Sequence, residues 1–124
     1  MATQLWYVNI FSGNFAAAVS FYRDMLGIPL RFIEKEHGYA SFDTGQVGFS
    51  IARVEKSAEN YKDLVGRFTG VGLSVDDLDA EYDRLVALGV TFSSPPTKQP
   101  WGGYMAIVQD PDGNQLYLDQ YREH

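Results

Sequence analysis

The segment Trp101–Leu118, with the sequence WGGYMAIVQDPDGNQLYL, is typical of two β-strands joined by a tight turn. Pro111 presets the backbone for a turn, and Gly113 followed by Asn114 tolerates positive φ angles. The runs on either side are apolar and rich in strand-forming residues. The segment therefore predicts a β-hairpin near the end of the chain.

Working outward from this hairpin, we find the pattern strand, helix and three strands twice. In the first copy, strand Leu5–Phe11 precedes helix Phe15–Leu26, with Asn14 as N-cap and Gly27 after the last turn. In the second copy, strand Phe68–Val75 precedes a helix capped by Asp76 or Asp77 and ended by Gly89. The apolar helix stripes are Phe15, Val19, Tyr22 and Leu26, then Leu78, Tyr82, Leu85 and Leu88. The remaining predicted strands are Leu30–Lys35, Tyr39–Asp43, Val47–Val54, Val90–Ser94, Tyr104–Gln109 and Gln115–Asp119.

These elements predict an α+β fold, in which two βαβββ modules form curled mixed sheets around a concave groove. The helices would cover the other face of the sheets, because a short repeat cannot bury its apolar face alone. We place the modules at residues 4–54 and 67–120, with a polar linker at 55–66, inside one domain spanning 1–124. Residues 94–97 and 100–103 are predicted loops because they are rich in proline or glycine.

Composition excludes several classes of function. The 124 residues include no cysteine, which rules out disulfides, thiolate nucleophiles and zinc–sulfur sites. The formal charge of −6 argues against nucleic-acid binding, which rewards clustered Lys and Arg. No apolar run approaches the length of a membrane span, and the N-terminus lacks the pattern of a secretion signal. A cytoplasmic protein that contacts neither nucleic acid nor membrane is expected.

Four motifs together resemble those of the vicinal oxygen chelate superfamily. They are Phe21-Tyr22-x-x-x-Leu26-Gly27, Leu73–Asp77, Leu88–Val90 and Asp110–Asn114. This superfamily includes glyoxalases, extradiol dioxygenases, and bleomycin and mitomycin resistance proteins. The stretch from Trp101 to Asn114 is most similar to the antibiotic-binding resistance proteins. The resemblance implies the fold predicted above and a homodimer, whereas the chemistry varies widely across the superfamily.

Metalloenzymes of this superfamily carry His and Glu ligands on the first and last strands of each module. The resemblance and the alternation of side chains along a strand place Tyr7, Gly70 and Tyr117 at three of these positions. The fourth is Phe49 or Ser50, and the parity of the strand favours Ser50. None of these residues is a competent ligand for a catalytic metal. We therefore predict no metal and no cofactor.

The chain has two histidines, and neither is predicted to be a ligand. His124 is the last residue, and His37 lies in a predicted surface loop. A rearranged metal site using Asp119, Asp43 or Glu36 is the alternative.

The predicted groove combines aromatic rings, a few polar groups and the space left by glycines, which is typical of a small-molecule pocket. Alternative roles exist for several of these residues. Tyr7 and Tyr117 could pack against each other, Trp101 could lie at a module or dimer interface, and Tyr104 could serve strand packing as the repeat partner of Tyr39. The candidate ligand-binding residues are Tyr7, Asn9, Phe11, Ser50, Gly70, Gly72, Trp101, Tyr104 and Tyr117.

The resemblance and the residues together favour a metal-independent binding protein. We expect a homodimer that binds or sequesters an aromatic or polycyclic compound, such as a natural-product antibiotic. One alternative is a glyoxalase-like lyase, isomerase or dioxygenase with a non-standard or metal-free active site. Another is a dimerising module whose groove is filled by its own side chains.

Overall fold

The computed structural model describes residues 2–45 and 47–120, so Gln46 in a predicted turn and the terminal His124 lie outside the described residues. The chain divides into two compact units, Met1–Gly66 and Arg67–His124. Each unit contains one four-stranded sheet. Within the described ranges, no helix has the length and apolar character that crossing a membrane requires.

Unit 1 folds as βαβββ. Its sheet has the order β1-β4-β3-β2, in which β1 runs parallel to β4 and the other pairs are antiparallel. Helix α1 continues into a π-helical turn before the chain enters β2. The elements are β1 Tyr7–Ser12, α1 Phe15–Ser20, the π-helical turn Phe21–Met25, β2 Leu30–Glu34, β3 Tyr39–Asp43, β4 Gly48–Arg53 and the short helix α2 Tyr61–Leu64.

Unit 2 repeats this topology. Its sheet has the order β5-β8-β7-β6, again with the first and last strands parallel and the other pairs antiparallel. The elements are β5 Phe68–Val75, α3 Leu78–Ala87, β6 Phe92–Lys98, β7 Tyr104–Gln109 and β8 Gln115–Gln120. The predicted fold class, α+β with two βαβββ modules, is confirmed.

One face of each sheet forms the core of its unit. In unit 1 the ring of the fully buried Tyr22 packs at a tilt against Phe42, at 6.2 Å, and edge-on against Phe49, at 5.4 Å. These three rings fasten the π-helical turn to β3 and β4, and each buries a large apolar area. In unit 2 the helix residues Leu78 and Leu85 are buried together with alternate residues of β7 and β8. Those strand residues are Ala106, Val108, Leu116 and Leu118.

The helices confirm part of the predicted stripes. Val19, Tyr22, Leu78 and Leu85 are buried, whereas Leu88 is about half exposed because it follows the last turn of α3. The side chain of Asp77 accepts a hydrogen bond from the Ala80 backbone N–H, as predicted for an N-cap.

The predicted capping role of Asn14 is only partly confirmed. Asn14 occupies the N-cap position of α1 but makes no side-chain cap. Its backbone N–H donates instead to Oγ of Ser12. Gly27 and Gly89 have positive φ angles of 75° and 86°, as expected after a helix.

Residues 94–97 were predicted as a loop, and this prediction is wrong. They lie inside β6, which includes both Pro95 and Pro96. β6 is the edge strand of its sheet, where a missing backbone N–H is tolerated. Its pairing with β7 is irregular between Phe92 and Ser94 and again between Ser94 and Thr97. The prolines therefore distort this strand without ending it.

The turn between β7 and β8 confirms the hairpin and shows what holds it together. The buried Asp110 carboxylate accepts hydrogen bonds from the backbone N–H groups of Asp112 and Asn114, both at 2.9 Å. It also accepts from Nδ2 of Asn114 at 3.0 Å. Gly113 supplies the positive φ angle, whereas Asn114 does not adopt one. The turn depends on a local network centred on one carboxylate.

Candidate functional site

Each sheet has a second face, opposite α1 in unit 1 and opposite α3 in unit 2, which we call the distal face. In unit 1, the Phe49 ring packs on Tyr22 and fixes the core side of β4, so the next residue, Ser50, lies on the distal face. The register pairs Asn9 with Ser50 and Phe11 with Ala52, which places Asn9 and Phe11 on that face too. Tyr7, paired with Gly48, lies on the same face at the start of β1. The parity argument thus assigns the fourth position to Ser50.

A hydrogen bond between Tyr39 and Ser50, which the sequence does not predict, lies on the unit 1 distal face. The Tyr39 hydroxyl donates to Oγ of Ser50 at 2.8 Å. The Tyr39 ring lies 6.1 Å from the ring of Phe32, which is about half exposed. Strand alternation could have placed Tyr39 on this face once the register of β3 was known. Tyr39 and Phe32 therefore join the candidate site.

Asn9 carries a buried polar atom on this face that has no hydrogen-bond partner. Among the described residues, its Oδ1 is the only buried side-chain oxygen or nitrogen without a hydrogen-bond partner. Buried polar atoms in folded proteins are normally paired with protein, water or ligand. An acceptor is thus present at the centre of the face, next to Ser50 in the register.

The distal face of unit 2 contains the equivalent row of residues. Gly72 lies in register with Tyr117, and Tyr117 with Ile107. The ring of Tyr117 meets the ring of Phe68 edge-on, with centroids 5.0 Å apart. A Cβ built on Gly72 would meet only Cβ of Tyr117, at 3.8 Å. The row is therefore aromatic at β8 and has space at β5.

Gly70 lies in an irregularity of β5 that unit 1 does not share. The pairing with β8 shifts between Phe68 and Gly72, and Gly70 has a φ angle of 73°. Oγ1 of Thr69 holds this bulge by accepting from the Val71 backbone N–H and donating to the Gln115 carbonyl. A Cβ at Gly70 would meet nothing within 4 Å, so glycine is required here by backbone conformation and not by crowding.

Tyr104 does not lie on the distal face, contrary to its predicted place among the groove residues. It alternates with the buried Ala106 and Val108 on the core side of β7. Its hydroxyl donates to the Asp79 carboxylate on α3. The residue equivalent to Tyr39 is Met105, because Ala106 pairs with Leu118 as Ala40 pairs with Ile51. Tyr104 therefore links β7 to α3 through this hydrogen bond.

Trp101 lies in the loop between β6 and β7. The loop is closed by two backbone hydrogen bonds, from Gln99 to the Gly103 carbonyl at 2.7 Å and from Gly102 to the Gln99 carbonyl at 2.9 Å. The indole folds over Gly103, where an added Cβ would come within 2.8 Å of Nε1. Trp101 is nevertheless 69% exposed. A large ring is thus presented to solvent on a short, hydrogen-bonded loop.

The family model of the Glyoxalase/Bleomycin resistance protein/Dioxygenase superfamily, which describes the sequences of its members, matches residues 4–118 of this chain. The chain belongs to this superfamily. It is 32% identical over 123 residues to the uncharacterized protein YraH of Bacillus subtilis, covering 93% of this chain and 96% of that protein.

Two solved structures show the same fold. A superfamily member from Sphaerobacter thermophilus has a TM-score of 0.79 at 26% identity, covering 97% of this chain and 98% of its own. TnmS3, an antibiotic binding protein from Streptomyces sp. CB03234, has a TM-score of 0.75 at 26% identity, covering 98% of each chain.

Superfamily membership raises the question of a metal, and the donor atoms at the four strand positions do not fit one. Tyr7, Ser50, Gly70 and Tyr117 offer no imidazole and no carboxylate. Within the described ranges, the one group of at least three possible ligands is Glu34, Glu36 and His37. It lies where β2 turns into β3, at the sheet edge opposite β1. His37 is exposed there and lies 3.2 Å from the Glu34 carboxylate. The hairpin group therefore lies away from the positions on β1 and β4, although its Glu34 pairs with Tyr39 of the distal face.

Proposed function

We infer that this protein binds an aromatic or polycyclic small molecule at its distal faces without using a metal. The observation that carries this inference is the identity of the residues at the four strand positions of the superfamily, which are Tyr7, Ser50, Gly70 and Tyr117. Catalytic metals need several convergent nitrogen or carboxylate donors, and these residues supply none. They supply instead two phenol rings, one hydroxyl and open backbone.

The surroundings support a flat apolar ligand. The unit 1 face adds the rings of Phe11, Phe32 and Tyr39, and the unit 2 face adds Phe68 beside Tyr117. Mostly apolar walls with a few placed polar groups are the usual composition of small-molecule sites. Rings that meet edge-on or offset contribute roughly 0.5–1.5 kcal/mol beyond the area they bury.

The concrete form of the proposal is sequestration of a natural product such as an antibiotic by a homodimer. TnmS3, whose fold this chain shares over nearly its full length, is described as an antibiotic binding protein. Sequestration needs affinity but no reacting group, which agrees with the lack of catalytic donors at the four strand positions.

A native mass spectrum of gently purified protein tests this proposal. The expected species is a dimer whose mass equals two bare chains, or two chains with an organic adduct whose mass then describes the ligand. A dimer that carries a stoichiometric divalent metal would overturn the proposal. A protein that contains no metal and takes up no polycyclic aromatic compound on titration would overturn it as well.

An enzyme with a non-standard site is the second candidate, and the Glu34, Glu36 and His37 group is the observation that favours it. These three side chains bring their ligand atoms within 4.8 Å of one another. Two of them are exposed, and surface carboxylates approach a histidine in many proteins without holding a metal. Removal of metal by exhaustive chelation separates the two candidates.

A further inference from the structure

The buried oxygen of Asn9 indicates which kind of aromatic ligand the protein selects, an inference that rests on the proposed function. Within residues 2–45 and 47–120, Oδ1 of Asn9 is the single buried side-chain polar atom that no donor reaches. An amide oxygen removed from water keeps its full desolvation penalty until it accepts a hydrogen bond. Asn9 Oδ1 is thus a buried acceptor that lacks a donor.

The neighbours of Asn9 on the distal face do not supply that donor. Along β4, the residues on either side of Ser50 on this face are Gly48 and Ala52, whose side chains carry no polar group. Ser50 and Ser41 lie in the same row as Asn9, and Oγ of Ser50 accepts from the Tyr39 hydroxyl, but no hydroxyl among the described residues of this face makes a hydrogen bond to Asn9 Oδ1. The donor must therefore come from outside this row of residues.

We propose that Asn9 Oδ1 accepts a hydrogen bond from a neutral N–H or O–H group at the edge of a planar aromatic ligand. Phe11 lies two residues further along the same face of β1, and Tyr39 with Phe32 lies across the sheet, so rings flank the acceptor. The donor is neutral because an amide oxygen does not compensate the burial of a charge. The ligand class is a flat polycyclic compound with one donor on its rim, such as a lactam, an aryl amine or a phenol.

In this assignment, Asn9 determines which ligands the site prefers. Stacking on the aromatic rings provides affinity for any flat ligand. A site built to hydrogen-bond an N–H group discriminates against the analogue that lacks it, because the buried acceptor is then left unpaired. A ligand without the donor still meets the same rings. Selectivity and affinity should therefore be separable by changing Asn9 alone.

The test uses acridone and N-methylacridone, two fluorescent tricyclic probes that differ in a single N–H donor. Each is titrated into the full-length protein and into the Asn9→Leu variant, whose side chain has a similar size and branching but no acceptor. The wild type is expected to bind acridone about ten-fold more tightly than N-methylacridone, which corresponds to about 1.4 kcal/mol. Asn9→Leu should lose this preference, so that its two dissociation constants become equal. If the leucine variant does not fold, Asn9→Ala is measured in its place.

The outcomes distinguish this inference from the function it rests on. Equal binding of both probes by the wild type overturns the role of Asn9 and leaves the aromatic site standing. A preference for acridone that persists in Asn9→Leu also overturns it, because the preference then comes from the bulk of the methyl group. Failure of both probes to bind saturably contradicts both the inference and the proposed function. Thermal unfolding adds a readout without ligand, since removing an unpaired acceptor should leave the variant at least as stable as the wild type.

Discussion

Gly72 of β5 lies in register with Tyr117 of β8 on the distal face of unit 2, and Asn9 of β1 lies in register with Ser50 of β4 on that of unit 1. The two pairs occupy equivalent places in the repeat. A Cβ at Gly72 would touch only Cβ of Tyr117, at 3.8 Å, which is ordinary van der Waals contact. The glycine thus leaves open space beside Tyr117 at a point where the first repeat has a side chain.

Filling this space should block the proposed site. Gly72→Leu is expected to weaken binding of acridone at the unit 2 distal face by at least about ten-fold, because the added side chain would occupy the surface beside Tyr117. The dissociation constant from fluorescence titration measures the effect. Val86→Leu, on the exposed side of α3, is the control that adds apolar bulk elsewhere in unit 2. A folded Gly72→Leu variant with unchanged affinity would remove this face from the binding site.

Gly70 and Gly72 offer a matched test of backbone strain. The φ angle of Gly70 is 73°, a left-handed conformation that costs an L-residue about 1–2 kcal/mol. Gly70→Ala should therefore lower the free energy of unfolding by about that amount. Gly72→Ala should be close to neutral, since its backbone is not left-handed and its Cβ has room. Urea unfolding of both variants measures this, and equal midpoints for the two would contradict the bulge in β5.

The Tyr39–Ser50 hydrogen bond should contribute to the stability of unit 1. Tyr39→Phe removes the donated proton while keeping the ring that lies against Phe32. We expect a loss of about 1 kcal/mol in the free energy of unfolding. The matched set is Tyr39→Phe, Ser50→Ala and the double variant, analysed as a double-mutant cycle. Strictly additive effects would mean that the two hydroxyls do not interact.

Most of the fold was predictable because its pattern is local. The strands Tyr39–Asp43, Phe68–Val75 and Tyr104–Gln109 coincide with the predicted segments at both ends. Alternation of apolar residues and the glycines after each helix carried these predictions. The strand containing Pro95 and Pro96 was missed because edge position, which makes the prolines tolerable, is a property of the sheet order and not of the local sequence.

The candidate site was less predictable, because a one-residue error in register moves a side chain to the opposite face. Matching Tyr104 to Tyr39 in the repeat contained this error, and Tyr104 lies on the core side with its hydroxyl on Asp79. Parity favoured Ser50 over Phe49, and the structure places Ser50 on the distal face because its neighbours on β4 alternate clearly. The Tyr39–Ser50 hydrogen bond and the unpaired Asn9 oxygen depend on side-chain geometry, which strand periodicity does not predict.

Trp101 should contribute to binding but not to folding. Its indole is 69% exposed, so Trp101→Ala should leave the unfolding midpoint unchanged. If the loop aromatic stacks on the ligand, the acridone dissociation constant should rise about ten-fold, or about 1.4 kcal/mol. Val86→Ala is the control, because Val86 is an exposed apolar residue on α3, on the opposite side of the unit 2 sheet from its distal face. Equal dissociation constants for the Trp101 variant and the wild type would exclude this residue from the site.

Chelation decides between metal-independent binding and a metalloenzyme. Since Tyr7, Ser50, Gly70 and Tyr117 provide no imidazole or carboxylate, exhaustive dialysis against EDTA should leave the acridone dissociation constant unchanged. Adding zinc or manganese to the dialysed protein should not change it either. Loss of binding on dialysis with recovery on adding zinc would contradict the proposed function. His37→Ala and Glu34→Gln would then identify the source: a metal held by the hairpin group would be lost from both variants, because His37 lies beside the Glu34 carboxylate at 3.2 Å.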